Sequence, residues 1–261
     1  PDQKRLLKAL ESEELFTIVA ELFMTDSARY ADYVLPAASF LEFDDLVGSY
    51  FHLALGPQSK AAEPIGEALP NQDIFRRLSK AMGLTEPALY EDDASILAHL
   101  LKAHDLSFDE LKAAGSFYPS VDPVILWEDQ SYPTPSGKIE IASAAAEADG
   151  HTRTPMPDPL ARPAPGNLRL LTPAGEWHMN SSYDNEPRIF ERTEPETLTL
   201  HPEDAHSRNL ADGATARVWN EAGELSMRIA VSDKTPPGVG WAPKGRWPGK
   251  SPSGLNVNAL N

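Results

Sequence analysis

Cysteine is absent from the 261-residue chain. That removes disulfides, thiolate zinc sites, cysteine-bound iron–sulfur clusters and a cysteine nucleophile from this stretch. Basic residues are scarce: 23 Lys and Arg stand against 39 Asp and Glu, a formal net charge of −16. A surface of that sign repels phosphate backbones and argues against nucleic acid as a partner. No run approaches the roughly 20 apolar residues that cross a bilayer, and residues 1–20 lack the apolar core of a signal peptide. The expectation is a chain with no membrane span, residing in the cytoplasm. His178, His201 and His206 are not at metal-ligand spacing, and no His-Glu-x-x-His stretch occurs, so a protein-ligated metal is not expected. No Gly-x-Ser-x-Gly elbow or glycine-rich phosphate loop occurs either.

Hydrophobic residues make up 41% and charged residues 24%, the balance of a folded globular protein, and the length suffices for two cores. Of 24 prolines, seven fall between Pro133 and Pro165, which reads as a linker with a domain boundary near 155–166. Before it the pattern is helix and strand. Leu6, Leu7 and Leu10 share a helical face, and the run Leu15–Ala20 reads as a strand buried on both sides. Tyr33–Leu35 reads as a second strand after a turn that Asp26 could cap. Asn71 is a candidate N-cap for a helix carrying Ile74, Phe75, Leu78 and Met82 and ending at Gly83. A further helix is expected over Asp93–Ala103, and Ser107 with Glu110 forms a capping box for another ending at Gly115. Ile139–Ile141 suggests a lone strand. After the linker come strands at 168–171 and 197–200 and a hairpin from Ala214 to Val231. There Leu225, Met227, Ile229 and Val231 alternate with polar residues.

Two places carry candidate chemistry. Glu21 closes a predicted strand, where an open α/β sheet presents a carboxylate to nucleotide ribose hydroxyls; the plainer alternative is a solvated acid. The segment LLTPAGEWHMNSS (Leu170–Ser182) packs Thr172, Trp177, His178, Asn180, Ser181 and Ser182 into a loop following a strand. Such groups can hold phosphates and heterocycle edges, and the alternative is an ordinary polar loop. Trp241 and Trp247 read as packing anchors.

Several stretches in fixed order resemble the large catalytic subunit of molybdopterin oxidoreductases, the dimethyl sulfoxide reductase and formate dehydrogenase family. They are ELFMTDSARYADYVLPAASFLE (Glu21–Glu42), EPIGEALPNQDIFRRLSKAMG (Glu63–Gly83), TPSGKIEIAS (Thr134–Ser143), LLTPAGEWHMNSS, TLTLHPEDAHSRNLADGATARVWNEAGE, TPPGVG and VNAL. The resemblance implies a fragment of such an enzyme. Residues 1–160 would be the end of a Rossmann-like α/β domain with its proline-rich linker, and residues 161–261 an all-β double-psi barrel that binds molybdopterin dinucleotide.

The implied cofactor is molybdopterin guanine dinucleotide with molybdenum or tungsten, the metal ligand and any iron–sulfur cluster lying in an N-terminal part outside this stretch. By the same resemblance Glu21 and Asn71 would contact the guanosine end, with Thr25 in the adjoining turn. Thr172, Pro173, Gly175, Trp177, His178, Asn180 and Ser181 would wrap the pterin or its phosphates, and Asn258 would reach it from the last strand. No catalytic residue is expected here, so the isolated chain would be inactive. Three positions depart from the family: Asn71 stands for an aspartate, Phe43 for a lysine and Ala174 for an arginine. Asn accepts through one oxygen where Asp accepts through two, which weakens guanine recognition. Implied partners are the N-terminal part of the same enzyme or a separate catalytic subunit, and an electron-transfer subunit. The alternative is a cofactor-free scaffold of the same fold in an electron-transfer complex.

Overall fold

The computed structural model describes every residue except 1, 121, 158, 160, 194 and 261. Residues 1–37 and 162–261 form one compact unit, and residues 38–161 form a second.

The first unit opens with α1 (Gln3–Leu10), started by the Asp2 carboxylate accepting from the Arg5 amide at 3.0 Å, as N-cap acids do. Strand β1 (Ile18–Glu21) lies parallel to β2 (Tyr33–Pro36), with Ile18 opposite Tyr33 and Glu21 opposite Pro36. The expected two-sided burial of the Leu15–Ala20 run is not met: Ile18 is 48% exposed and Leu15 and Phe16 are exposed too. Among the described residues β1 has β2 as its one strand neighbour, so apolar composition alone does not supply a cover. The turn at Ala28–Tyr30 is likewise capped differently than expected. The Thr25 hydroxyl accepts from the Ala28 amide (3.3 Å), while Asp26 accepts from the Gly249 amide (2.6 Å).

The second unit pairs β3 (Asp45–Val47) with β4 (Gly56–Gln58) antiparallel. Its main helix is α2 (Asn71–Ala81), where the cap is Pro70 and Asn71 is the first helical residue. The Pro70 carbonyl accepts from the Asp73 and Ile74 amides, which leaves no capping bond for the Asn71 side chain. On this helix Ile74 is buried, whereas Phe75 and, at the C-cap, Met82 stay exposed. Next comes α3 (Asp93–Leu101), which buries Leu97 and Leu101, tightens to a 3-10 turn at Lys102–His104 and leaves Leu100 exposed. The expected capping box starts α4 (Phe108–Ala114), which stops at Gly115 in the left-handed region, φ 75°. A short α5 (Ala144–Ala148) follows. Ile139 and Ile141 form no strand and are 67% and 79% exposed.

The first unit resumes with β5 (Arg169–Leu171), α6 (Pro187–Phe190), β6 (Thr197–Leu200), α7 (Pro202–Ser207), β7 (Thr215–Trp219), β8 (Glu224–Val231) and β9 (Val239–Trp241). One five-stranded sheet runs in the order β5-β9-β6-β8-β7. Strand β6 lies parallel to β8 and antiparallel to β9, while β5 lies parallel to β9. Central position explains why β6 buries Thr197, Leu198 and Leu200, whereas β8 alternates, turning Leu225, Met227 and Ile229 inward. The apolar ones among these side chains form the core with Ala205, Ala242, Val257, Ala259 and Leu260. Among the described residues no helix is long and apolar enough to cross a membrane.

Candidate functional site

The loop that begins at Thr172 is not free to swing. Past the end of β5, the Pro173 carbonyl accepts from the Lys244 amide (2.8 Å), and an isolated parallel bridge joins Ala174 to Lys244. The rest of the loop is then pinned from the inside by Asp184, which is fully buried. Its Oδ1 lies 3.1 Å from His178 Nε2 and accepts from Arg246 Nη1 at 3.1 Å, and its Oδ2 accepts from the Trp247 amide at 2.7 Å. Of the two ring nitrogens of His178, Nε2 is the one that faces the Asp184 carboxylate, a group that can only accept when it carries no proton. The Trp247 indole donates to the Ser181 carbonyl (2.6 Å), so the loop and the Gly245–Trp247 segment are tied twice.

Two glycines permit this closeness. A Cβ on Gly175 would lie 3.2 Å from His178 Nδ1. At Gly245, φ is +124°, a conformation that glycine alone adopts readily, and a Cβ there would drive into the Asn180 carbonyl. Arg246 is held further by donating from Nη2 to Thr193 Oγ1 (2.9 Å) and by lying over the Phe190 ring, 4.6 Å from its centroid. Asn256 Nδ2 donates to the Arg246 carbonyl (2.6 Å).

Two cavities flank this braced core. The larger, about 830 Å³, is walled by Leu6, Leu7, Leu10, Glu21, Thr25, Arg29, Ser181, Ser182, Trp247 and Asn256, among others. The smaller, about 480 Å³, is walled by Gly175, Trp177, His178, Arg192, Glu196, Thr197, Trp241 and Lys244, among others. Arg246 lines both. Both volumes fall in the range of small-molecule and cofactor sites. In the smaller one Arg192 stacks on the Trp177 ring at 4.9 Å. Glu196 accepts from the Ser251 hydroxyl. Burial raises its carboxyl above the ordinary value, against the Ser251 bond and the Arg246 charge, which lower it, and with the Asp184 charge adding to the rise.

The structure thus sets Glu21, Thr25 and Ser181 around one cavity and Gly175, Trp177 and His178 around the other. Thr172, Pro173 and Asn180 belong to the anchored loop, and Asn258 sits in the closing turn Val257–Leu260, its amide donating to Asn256 Oδ1 at 3.0 Å. None of these four lines either cavity. Asn71 is in the other unit, exposed at the start of α2. Sequence reasoning missed Asp184, Arg246, Glu196 and Asn256. The local signal for the first is only an acid in the polar run Ser181–Glu186; one partner, His178, is six positions away, and the other two lie 62 and 63 positions away. Among the described residues no group of three or more His, Asp or Glu is placed to hold a metal ion.

Fold and sheet define a mixed α/β chain with two cavities in one unit, and comparison with known proteins says which family it belongs to. Residues 168–261 match the family model described as Molydopterin dinucleotide binding domain, and residues 1–81 match the one described as Molybdopterin oxidoreductase. The chain belongs to the molybdopterin oxidoreductase family, as part of a catalytic subunit. It is 32% identical over 266 residues to Probable oxidoreductase YoaE of Bacillus subtilis, covering 100% of this chain and 39% of that protein. To the Dimethyl sulfoxide/trimethylamine N-oxide reductase of Rhodobacter capsulatus it is 30% identical over 281 residues, covering 94% of this chain and 34% of that one. The solved structure of acetylene hydratase from Pelobacter acetylenicus shares the fold, with a TM-score of 0.83 at 23% identity over 99% of this chain and 38% of that one. The chain therefore spans well under half the length of these relatives.

Proposed function

We propose that this chain is the molybdopterin guanine dinucleotide-binding portion of a molybdenum oxidoreductase, and that the two cavities meeting at Arg246 are its cofactor walls. The observation that carries the reading is that both cavities are built within residues 1–37 and 162–261, most of which fall in the matched segments. The donor chemistry fits. The larger cavity combines guanidinium groups from Arg29 and Arg246 with hydroxyls from Thr25, Ser181 and Ser182, suited to phosphate oxygens, and an acceptor in Glu21, suited to ribose hydroxyls. The smaller offers Trp177 and Trp241 as apolar faces and Glu196, Thr197 and Lys244 as polar edges, suited to a heterocycle.

When bound, the cofactor supplies the metal-centred redox chemistry. The residues of this chain bind and orient it. Glu21, Thr25 and Ser181 would hold the nucleotide end, while Gly175, Trp177 and His178 would form the second wall. Thr172, Pro173 and Asn180 would support that wall through the anchored loop. Asn258 and Asn71 are assigned contacts by resemblance alone. The fold assignment is part of the same proposal: the mixed pairing of β6 supports a double-psi barrel within 161–261, and the parallel β1–β2 pair supports a Rossmann-like remnant within 1–160. The N-terminal part of the same enzyme or a separate catalytic subunit would supply the metal ligand and any iron–sulfur cluster, and an electron-transfer subunit is the further expected partner. A cytoplasmic location completes it, read out by cell fractionation.

A second reading, a scaffold without cofactor, is favoured by one observation: His178 directs Nε2 to Asp184 rather than into the cavity. The two separate on pterin content. Acid oxidation of the purified complex containing this chain releases fluorescent pterin on the first reading, near one equivalent or more per chain. A well-assembled complex without pterin supports the scaffold.

A further inference from the structure

We infer that Asp184 is the positioning residue of this site, the single carboxylate that sets the walls of both cavities. The inference rests on the reading of the cavities as cofactor walls, and it names a residue to which no motif or family resemblance points.

Two pieces of chain reach it and a third backs them: His178 comes from the loop, Arg246 and the Trp247 amide from the segment after β9, while Phe190 at the end of α6 and Thr193 just beyond it hold Arg246. Asp184 has no exposed surface, so it contacts no ligand and acts only through the groups it binds. Those groups differ in where they point. His178 walls the smaller cavity, Trp247 the larger, and Arg246 both. A carboxylate is suited to this because its two oxygens accept several N–H groups at once without offering a donor of its own. An amide in the same place must turn its NH₂ toward either the Trp247 amide or the pair formed by His178 and Arg246. One side of the brace is then lost, although volume and shape are kept.

The test compares Asp184→Asn with Leu200→Ala in the complex that contains this chain. Leu200 is buried in the sheet core and touches neither cavity, so it reports loss of stability without loss of positioning. Two readouts are needed. The first uses no cofactor: in the isotope-labelled chain, the indole N–H resonance of Trp247 and the ring-nitrogen resonances of His178 are followed by NMR. Asp184→Asn should shift both, and Leu200→Ala should leave both in place. The second is pterin retained per folded complex after gel filtration, which should fall at least tenfold in Asp184→Asn and less than twofold in Leu200→Ala. Unchanged Trp247 and His178 resonances in Asp184→Asn overturn the inference, as does pterin retention within twofold of the unsubstituted protein. An unsubstituted complex that holds no pterin, while the resonances shift as expected, instead contradicts the cofactor reading and leaves the brace standing.

Discussion

Replacing Asp184 by alanine should cost this chain a large share of its stability, and the structure says roughly how much. The substitution leaves three donors facing the gap: His178 Nε2, the Trp247 amide and Arg246 Nη1. The His178 side chain is 6% exposed and that of Arg246 is 10% exposed, so water does not readily replace the lost acceptor. A buried donor without its partner costs about 1–3 kcal/mol, and the Trp247 amide falls in that class. His178 can turn or change tautomer and so lower its share. Arg246 keeps Thr193 but loses a carboxylate, and breaking a buried charged pair from one side costs about 3–5 kcal/mol. Because these losses overlap, the expected total is about 3–5 kcal/mol, against a domain stability of about 5–15 kcal/mol. Asp184→Asn, which keeps part of the acceptor capacity, should cost about half as much. Urea unfolding followed by tryptophan fluorescence measures both. A loss below about 1 kcal/mol in Asp184→Ala would refute the reasoning, since it would mean that the three donors find other partners.

Other substitutions probe separate links. Leu200→Ala removes a fully buried side chain from the central strand and should destabilise by about 2–5 kcal/mol in the same assay; under 1 kcal/mol would show that the core closes over the gap. Gly245→Ala forces a side chain into a backbone region reserved for glycine and should cost about 1–3 kcal/mol before any clash with the Asn180 carbonyl. Together with that cost it should broaden or shift the Trp247 indole resonance. Glu196 has a raised pKa in the folded chain, so its protonated form is the better tolerated one. Its contribution is fully present below the ordinary value of 4.5 and is lost as pH rises through the raised value. The stability of the unsubstituted chain relative to Glu196→Gln should therefore fall as pH is taken from below 4.5 toward neutrality, measured by melting at matched ionic strength. A relative stability that rises over that range contradicts the assignment of burial as the dominant cause.

Much of the β-structure was legible because its signals are local. Strand β8 announces itself by Leu225, Met227 and Ile229 at every second position, and all three are buried. Ser107 and Glu110 define the start of α4 within four residues, and both reciprocal bonds form. Where a signal depends on what lies beside an element, sequence reading falls short. The Leu15–Ala20 run is apolar enough for a buried strand, yet Ile18 stays about half exposed because burial needs neighbours that the pattern cannot name. Ile139 and Ile141 have strand-like alternation but no pairing partner. Pro70 takes the N-cap place read for Asn71, a shift of one residue at a helix boundary.

The site divides along the same line. The polar density of the Thr172–Ser182 loop was visible in the sequence, and so was its position after a strand. What orders that loop is an acid paired across more than sixty residues with Arg246 and Trp247, and no local pattern distinguishes Asp184 from a solvated neighbour. Resemblance assigned His178 to the cofactor, whereas what the geometry shows is one ring nitrogen holding the loop against Asp184. Motifs read residues that are neighbours in the chain more readily than braces formed across more than sixty positions.

A crystal structure of the cofactor-loaded complex containing this chain tests the central claim most directly. The account predicts continuous density for a dinucleotide in the larger cavity, against Glu21, Thr25 and Ser181, passing Arg246 toward Trp177 and His178. Bound pterin whose density lies away from both cavities would contradict it.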